Sequence, residues 1–163
     1  MPSVLFVCTA NRFRSPLAAG ALAKALSDMG VAGDWRVGSA GTWATPGQPA
    51  LAPVSRAAGA WGIDLSAHRS ERLNRKLLSS YDLILVMQAG HREALQIEFP
   101  ETGERIYLLS EVVERRSYDI PDVLDSEEAI LEVSRELYEL VRRGRDSICV
   151  LASYLHNTRL QHG

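Results

Sequence analysis

The sequence has little of what marks a membrane protein, a secreted disulfide framework or a nucleic-acid-binding protein. Its 163 residues include only two cysteines, Cys8 and Cys149, which are too few and too far apart for a disulfide framework or a CxxC site. No run approaches the roughly 18 consecutive apolar residues of a membrane helix, and the short apolar segment after Met1 lacks the basic region of a signal peptide. The formal net charge is only −2, so nucleic acid and anionic membranes are not expected as partners.

What the composition does contain is ordinary for a globular protein, with 46% hydrophobic and 23% charged residues. No repeat, linker or low-complexity segment divides the chain. We therefore expect one domain over residues 1–163 in the reducing cytoplasm, present as a monomer or weak homo-oligomer. The polar residues 156–163 are expected to fray.

Apolar runs that predict strands alternate with helical patterns along the chain. The predicted strands are 4–7, 35–40, 82–87 and 105–109, and the predicted helices are 16–29, 49–61, 71–79, 90–99 and 126–143. Residues 144–155 fit either a continued helix or a segment that packs back. This alternation predicts an open parallel sheet with helices on both faces. In such sheets ligands bind beyond the carboxyl ends of the strands, and Cys8 directly follows the first strand.

The loop after the first strand carries a cysteine, an arginine and a serine at close spacing. It reads Cys8-Thr9-Ala10-Asn11-Arg12-Phe13-Arg14-Ser15 and is followed by Pro16. Pro16 suits the first turn of a helix, with Ser15 as a candidate N-cap. Such a loop directs free backbone N–H groups and the helix dipole into a bowl that binds tetrahedral oxyanions. The same field favours the thiolate of Cys8, and Arg14 offers a planar fork to two oxyanion oxygens.

This loop, together with Val4-Leu5-Phe6-Val7 before it, resembles the signature of the low-molecular-weight protein tyrosine phosphatases. Later segments resemble the same family in the same order: Ser39-Ala40-Gly41-Thr42-Trp43, Gly62-Ile63-Asp64-Leu65 with His68, Asp82-Leu83-Ile84-Leu85-Val86-Met87 and Asp119-Ile120-Pro121-Asp122. The resemblance covers roughly residues 3–143. It implies a flavodoxin-like open sheet of four parallel strands with helices on both faces. It also implies a cysteine-dependent phosphomonoesterase that forms a phosphocysteine intermediate, acts on a phosphorylated protein or small phosphomonoester, and needs neither a metal nor another cofactor.

The resemblance also implies a role for each residue of the site. Cys8 would be the nucleophile, Arg14 would bind the phosphoryl oxygens, and Asp122 would protonate the leaving oxygen. Ser15 would hydrogen-bond the Cys8 sulfur. The remaining substrate-binding or phosphate-binding residues would be Thr9, Ala10, Asn11, Arg12, Phe13 and Trp43, with Ser39 supporting Asn11. Asp119 is a possible supporting acid, whereas Asp125 or Ser126 would cap the following helix.

Four positions depart from the family pattern. Val123 and Leu124 follow Asp122 where the family has proline and aromatic residues, so an aromatic wall for a phenyl ring is missing. Phe13 stands where many members have a second cysteine, so no disulfide is expected within the loop. Arg12 replaces a smaller residue, and is either a solvated arginine at the rim or a charge that recruits an acidic substrate.

The sequence alone leaves other functions and substrates open. The altered acid segment is compatible with a phosphate-binding regulatory module of weak turnover. A thiol-linked arsenate reductase on the same fold would need further cysteines near the loop, and residues 82–100 contain none. Phosphoarginine is another substrate of this family, and the charge of Arg12 disfavours it. Trp43 either lines the pocket or packs in the core, and His68 is expected to be a structural hydrogen-bonding residue.

Overall fold

A fully parallel sheet of four strands, in the order β2-β1-β3-β4, forms the centre of the computed structural model, which describes residues 1–163. The strands are β1 (Ser3–Cys8), β2 (Arg36–Gly41), β3 (Leu83–Val86) and β4 (Ile106–Leu108). The helices are α1 (Arg14–Asp28), α2 (Ala52–Ala60), α3 (Arg75–Ser79), α4 (Ala89–Glu98), α5 (Leu109–Glu114) and α6 (Glu127–His162). The predicted open parallel sheet is confirmed.

Both faces of the sheet are covered, which explains why its strands are apolar throughout. Successive side chains of a strand point to opposite faces, so Val4 and Phe6 pack into a core cluster that includes α1, α2 and α6. Leu5 and Val7 pack into a second cluster that includes α3 and α4. All four side chains are fully buried.

The prediction that Ser15 caps the first helix is wrong. Helix α1 already begins at Arg14, with Phe13 in the N-cap position and no side-chain cap. Ser15 is therefore inside the first turn, where its hydroxyl reaches the Cys8 sulfur instead of a backbone N–H. The hydroxyl of Ser15 is thus used in a contact with the loop around Cys8, which the helix-capping pattern of the sequence does not take into account.

The predicted helix 71–79 is wrong in its first half. Helix α3 begins only at Arg75, since the side chain of Asn74 caps it. Before that cap the chain is extended, and Arg72 forms an isolated parallel bridge with Gly41. The segment thus extends the sheet edge towards the loop after β1. The second predicted helix likewise begins later than expected, at Ala52.

Helix α6 is capped by the side chain of Ser126, which accepts a hydrogen bond from the backbone of Ala129 at 3.0 Å. Asp125 is therefore not the cap. The helix also continues past Gly144, where a Cβ atom would lie 2.3 Å from Val113 of α5. Glycine is required there for close packing of two helices and does not end the helix.

Residues 156–162 were expected to fray but are helical. His156 and Arg159 both contact the buried carboxylate of Asp82, each at 3.0 Å. These polar contacts dock the last two turns of α6 against the start of β3. No helix of the structure combines the length and the apolar character needed to cross a membrane.

Candidate active site

The loop between β1 and α1 lies at the carboxyl edge of the sheet, where parallel α/β folds bind ligands. The end of β2 packs directly against it, because a Cβ atom at Gly41 would lie 2.4 Å from the carbonyl oxygen of Thr9. The backbone N–H groups of Thr42 and Trp43 then donate to the carbonyl oxygens of Cys8 and Thr9, both at 2.9 Å. This close backbone contact requires glycine and holds the beginning of the loop.

Asn11 is the internal brace of the loop. Its φ is 58°, a left-handed conformation that asparagine tolerates better than most residues. Its Nδ2 donates to Ser15 Oγ at 2.8 Å and to Ser39 Oγ at 2.9 Å, and its Oδ1 accepts from the Glu71 N–H. His68 Nε2 donates to the Asn11 carbonyl oxygen at 2.7 Å. The structure thus places Ser39 beside Asn11, as expected, and gives His68 a hydrogen-bonding place in the loop.

Cys8 lies at the floor of the bowl and is only 2% exposed. Its Sγ is 2.9 Å from Ser15 Oγ and accepts from the Ser15 N–H at 3.4 Å. The backbone N–H groups of residues 9–14 have no hydrogen-bond acceptor within the chain. Two donors to the sulfur stabilise a thiolate, and the free N–H groups around it form a nest for an oxyanion.

Arg14 closes the same loop and is 1% exposed. Its Nη1 donates to the Ile120 carbonyl oxygen at 2.9 Å, and its Nη2 donates to Thr9 Oγ1 at 3.4 Å. Its Nε is buried without any partner. A buried guanidinium N–H that lacks an acceptor is costly, and an oxyanion in the bowl would satisfy it.

Asp122 lies beside Arg14, with its Oδ2 3.6 Å from Nη2 and its side chain 38% exposed. The loop that carries it is anchored where Ile120 N–H donates to the Met87 carbonyl oxygen at 2.9 Å. The Asp119 carboxylate instead accepts from the N–H of Ala89 at the start of α4, at 2.8 Å. Of the two acids, Asp122 is therefore the one beside the bowl, and Asp119 fixes the loop.

Three of the residues predicted to bind the substrate, Trp43, Phe13 and Arg12, differ in how far they are exposed. Trp43 is 75% exposed, with the Arg72 guanidinium 5.0 Å from its ring centroid, so a core position for Trp43 is wrong. Phe13 is buried in the core, so its side chain packs away from the solvent-exposed rim. Arg12 Nε donates to the Pro49 carbonyl oxygen at 2.8 Å, which holds this arginine at the rim.

Sequence reasoning missed His91, which is buried in the first turn of α4. Its Nε2 is 2.9 Å from Thr9 Oγ1, and its Nδ1 accepts a hydrogen bond from the Gln88 N–H at 3.2 Å. The signal was present: Gln88 and His91 follow β3 at the spacing of a capping box, at the same sheet edge as Cys8. The helix start needed for that interpretation was predicted one residue too late.

Burial is the main reason why the pKa of His91 is lowered to about 4, and the positive charge of Arg14 acts in the same direction. Asp119 and Asp122 oppose this shift. The ring is therefore neutral at physiological pH. No group of three His, Cys, Asp or Glu side chains is arranged to hold a metal ion.

Comparisons with known proteins agree with this geometry. The model of the family described as low molecular weight phosphotyrosine protein phosphatase matches residues 3–150. A probable low molecular weight protein-tyrosine-phosphatase, EpsP of Ralstonia nicotianae, is 32% identical over 145 residues, which are 89% of this chain and 92% of the relative. A protein-arginine-phosphatase of Geobacillus stearothermophilus is 33% identical over 141 residues, 86% of this chain and 91% of the relative.

A solved structure of the YwlE arginine phosphatase is also similar. It is a cysteine-to-serine mutant whose active-site serine is phosphorylated, and it aligns with a TM-score of 0.83 at 28% identity, covering 90% of this chain and 95% of that chain. Sequence and structure matches both span most of the chain, and the residues matched by the family model include the loop after β1. The chain therefore belongs to the low molecular weight phosphotyrosine protein phosphatase family and is a cysteine-dependent phosphomonoester hydrolase.

Proposed function

We propose that this protein removes phosphate from phosphotyrosine in proteins, with Cys8 as nucleophile, Arg14 as phosphoryl ligand and Asp122 as acid and base. One observation carries the proposal. The Cys8 sulfur lies in a loop whose backbone N–H groups, at residues 9–14, are free, and Arg14 of the same loop has a buried Nε without a partner. A phosphoryl group in this bowl supplies acceptors for all these donors.

In the first step the Cys8 thiolate attacks phosphorus on the side opposite to the leaving oxygen. The S–P bond forms as the P–O bond to tyrosine breaks, and Asp122 gives its proton to that oxygen. The backbone N–H groups and Arg14 bind the equatorial oxygens, which carry charge in the transition state. The hydroxyl and N–H of Ser15 stabilise the sulfur anion before attack.

In the second step water attacks the phosphocysteine, and the Asp122 carboxylate accepts a proton from that water. The S–P bond breaks, the Cys8 thiolate is restored and inorganic phosphate leaves. The arginine phosphatase relative with a phosphorylated active-site serine supports an intermediate on this side chain. The 38% exposure of Asp122 is compatible with access for the attacking water.

Two rim residues support an aromatic substrate over phosphoarginine. Trp43 is tied by its N–H to Thr9 at the beginning of the loop and presents an exposed ring, on which a phenyl group can stack. Arg12 adds a positive charge at the rim, which repels the guanidinium of phosphoarginine and attracts acidic peptides.

The test is steady-state hydrolysis of p-nitrophenyl phosphate and of matched phosphotyrosine, phosphoserine and phosphoarginine peptides. Cys8→Ser should abolish turnover, and Asp122→Asn should lower kcat by roughly 10² to 10⁴ with little change in KM, since it removes a general acid. Asp125→Asn is the matched control from the same loop and should keep the wild-type kcat. Turnover by Cys8→Ser would refute the mechanism, whereas a faster rate on phosphoarginine would refute only the substrate.

A further inference from the structure

Thr9 and His91 form a polar pair beside the bowl that the two-step mechanism above does not use. Nδ1 of His91 accepts from a backbone N–H, that of Gln88, so this ring nitrogen carries no proton. The ring is neutral, so its single proton is on Nε2, which lies 2.9 Å from Thr9 Oγ1. His91 is therefore the donor and the threonine hydroxyl is the acceptor.

The same hydroxyl also accepts from Arg14. Nη2 of Arg14 is 3.4 Å from Thr9 Oγ1, a longer contact than that of His91. A hydroxyl has two acceptor lone pairs and one hydrogen, and the two lone pairs of Thr9 are thus occupied. Its hydrogen must point away from both donors, and the chain offers it no acceptor within hydrogen-bonding distance.

We propose that Thr9 donates this hydrogen to a phosphoryl oxygen of the bound substrate, and that His91 fixes the direction of the donation. The inference rests on the proposed function, because it takes the bowl as the phosphate site. Thr9 lies on the Asp122 side of Arg14, since Nη2 contacts Thr9 and is 3.6 Å from Asp122. The oxygen bound by Thr9 is therefore an equatorial oxygen on this side of Arg14, distinct from the leaving oxygen that Asp122 protonates.

In this arrangement Thr9 is a ligand of the reacting group and His91 is a positioning residue. A neutral hydroxyl that donates to a charged oxygen forms a charge-assisted hydrogen bond. A protonated His91 would lose its bond from Gln88, because both ring nitrogens would then be donors. The groups that face the ring are Arg14, Asp119 and Asp122, and its lowered pKa keeps the ring neutral in the range where the enzyme is assayed.

The first measurement is competitive inhibition by inorganic phosphate, which carries the same oxygens as the substrate. Thr9→Val removes the hydroxyl at nearly constant shape and should raise the inhibition constant and KM together by about 10-fold, as expected for a hydrogen bond to a charged group. Thr9→Ser keeps the hydroxyl and should restore most of the affinity. Equal weakening in both variants, or unchanged inhibition in Thr9→Val, would overturn the inference.

The second measurement tests His91 through its effect on Thr9. His91→Gln keeps an N–H donor at the end of the side chain, whereas His91→Leu removes it, so only the leucine variant should raise the phosphate inhibition constant. In Thr9→Val the further change His91→Leu should then have little additional effect, because the hydroxyl that it orients is absent. Additive effects of the two changes would show that His91 merely stabilises the fold and would contradict the proposal.

Failure of this inference can be separated from failure of the proposed function. Calorimetric titration with inorganic phosphate can be carried out in the Cys8→Ser background, where no turnover is required. Weaker binding on adding Thr9→Val would support the hydrogen bond even if the catalytic role of Cys8 were refuted. Wild-type phosphate affinity in that double variant would refute the Thr9 contact while leaving the mechanism intact.

Discussion

At the scale of single residues, Asn11 combines two roles that usually belong to different residue types. Its backbone has a φ of 58°, which favours glycine, asparagine and aspartate. Its side chain bonds Ser15, Ser39 and the backbone of Glu71, and is fully buried. Glycine could adopt the backbone but not supply the bonds, so the loop needs asparagine.

Comparison of Asn11→Gly with Asn11→Ala should separate these roles. Both variants lose the side-chain bonds and should have a lower free energy of unfolding, because the buried partners of Asn11 are left unpaired. The alanine variant should be less stable than the glycine variant by a further ~1 kcal/mol, since alanine is strained at positive φ. Urea unfolding measures both differences.

Ser39→Ala is the matched control, because it removes only one of the three partners of Asn11. Its free energy of unfolding should fall by about 1 kcal/mol or less, and its kcat should be affected less than that of Asn11→Gly. Equal stability of Asn11→Gly and Asn11→Ala would show that the left-handed backbone is not a source of strain in this loop.

At the scale of elements, α6 does more than cover one face of the sheet. Its 36 residues reach back to the amino end of β3, where Asp82 is buried. The Asp82 carboxylate accepts from the N–H and hydroxyl of Ser3 as well as from Arg159 and His156. The last turns of α6 are thus docked to two strands at the sheet edge opposite to Cys8.

Replacing Arg159 by methionine keeps most of the aliphatic stem and removes the charge. We expect the free energy of unfolding to fall by about 2 kcal/mol, because the buried carboxylate of Asp82 loses a charged partner. The loss stays below that of a fully buried ion pair, since Arg159 is partly exposed. The kcat should stay unchanged, since the cluster lies far from the loop after β1. Urea unfolding and p-nitrophenyl phosphate assays measure the two effects.

Arg145→Met is the matched control for this experiment, because Arg145 pairs only with the exposed side chain of its neighbour Asp146. Its effect should stay within about 0.5 kcal/mol, as is usual for surface ion pairs. Equal destabilisation by Arg145→Met and Arg159→Met would show that the Asp82 cluster has no special part in docking α6.

At the scale of the whole molecule, the buried His91 makes folding stability depend on pH. Its pKa is lowered to about 4 in the folded protein from an ordinary value of 6.5. Between these values the unfolded chain binds a proton that the folded protein does not. Acidification therefore favours unfolding in this window, and the full contribution of the neutral ring is present only above the upper value.

We expect the free energy of unfolding to fall by about 2 kcal/mol as the pH falls from about 6.5 to about 4, because the contribution of the neutral His91 ring is lost. Urea unfolding across this range gives the slope for the wild type. His91→Gln lacks the titrating group and should have a flatter slope, and identical slopes would show that His91 is not the source.

Much of the site could be predicted because its residues are close in sequence. Cys8, Arg14 and Ser15 are contained in one loop, and the strand before and the helix after it determine which way they point. Asp122 was also predicted, but only by its resemblance to a family segment, and three aspartates of that loop were candidates. In the structure Asp122 lies near Arg14, whereas Asp119 accepts a hydrogen bond from the start of α4. Both contacts depend on packing between segments that are distant in sequence.

The amino-acid sequence by itself determined the sheet, its helical layers and the loop at its carboxyl edge, because apolar periodicity and the spacing from Cys8 to Arg14 are local. Only the tertiary structure decided that α6 continues through Gly144, since the contact with Val113 is what calls for glycine. It also decided that His91 meets Thr9, 82 positions apart. The spacing of Gln88 and His91 indicates a helix start, but the bond from His91 to Thr9 depends on how α4 packs against the loop after β1.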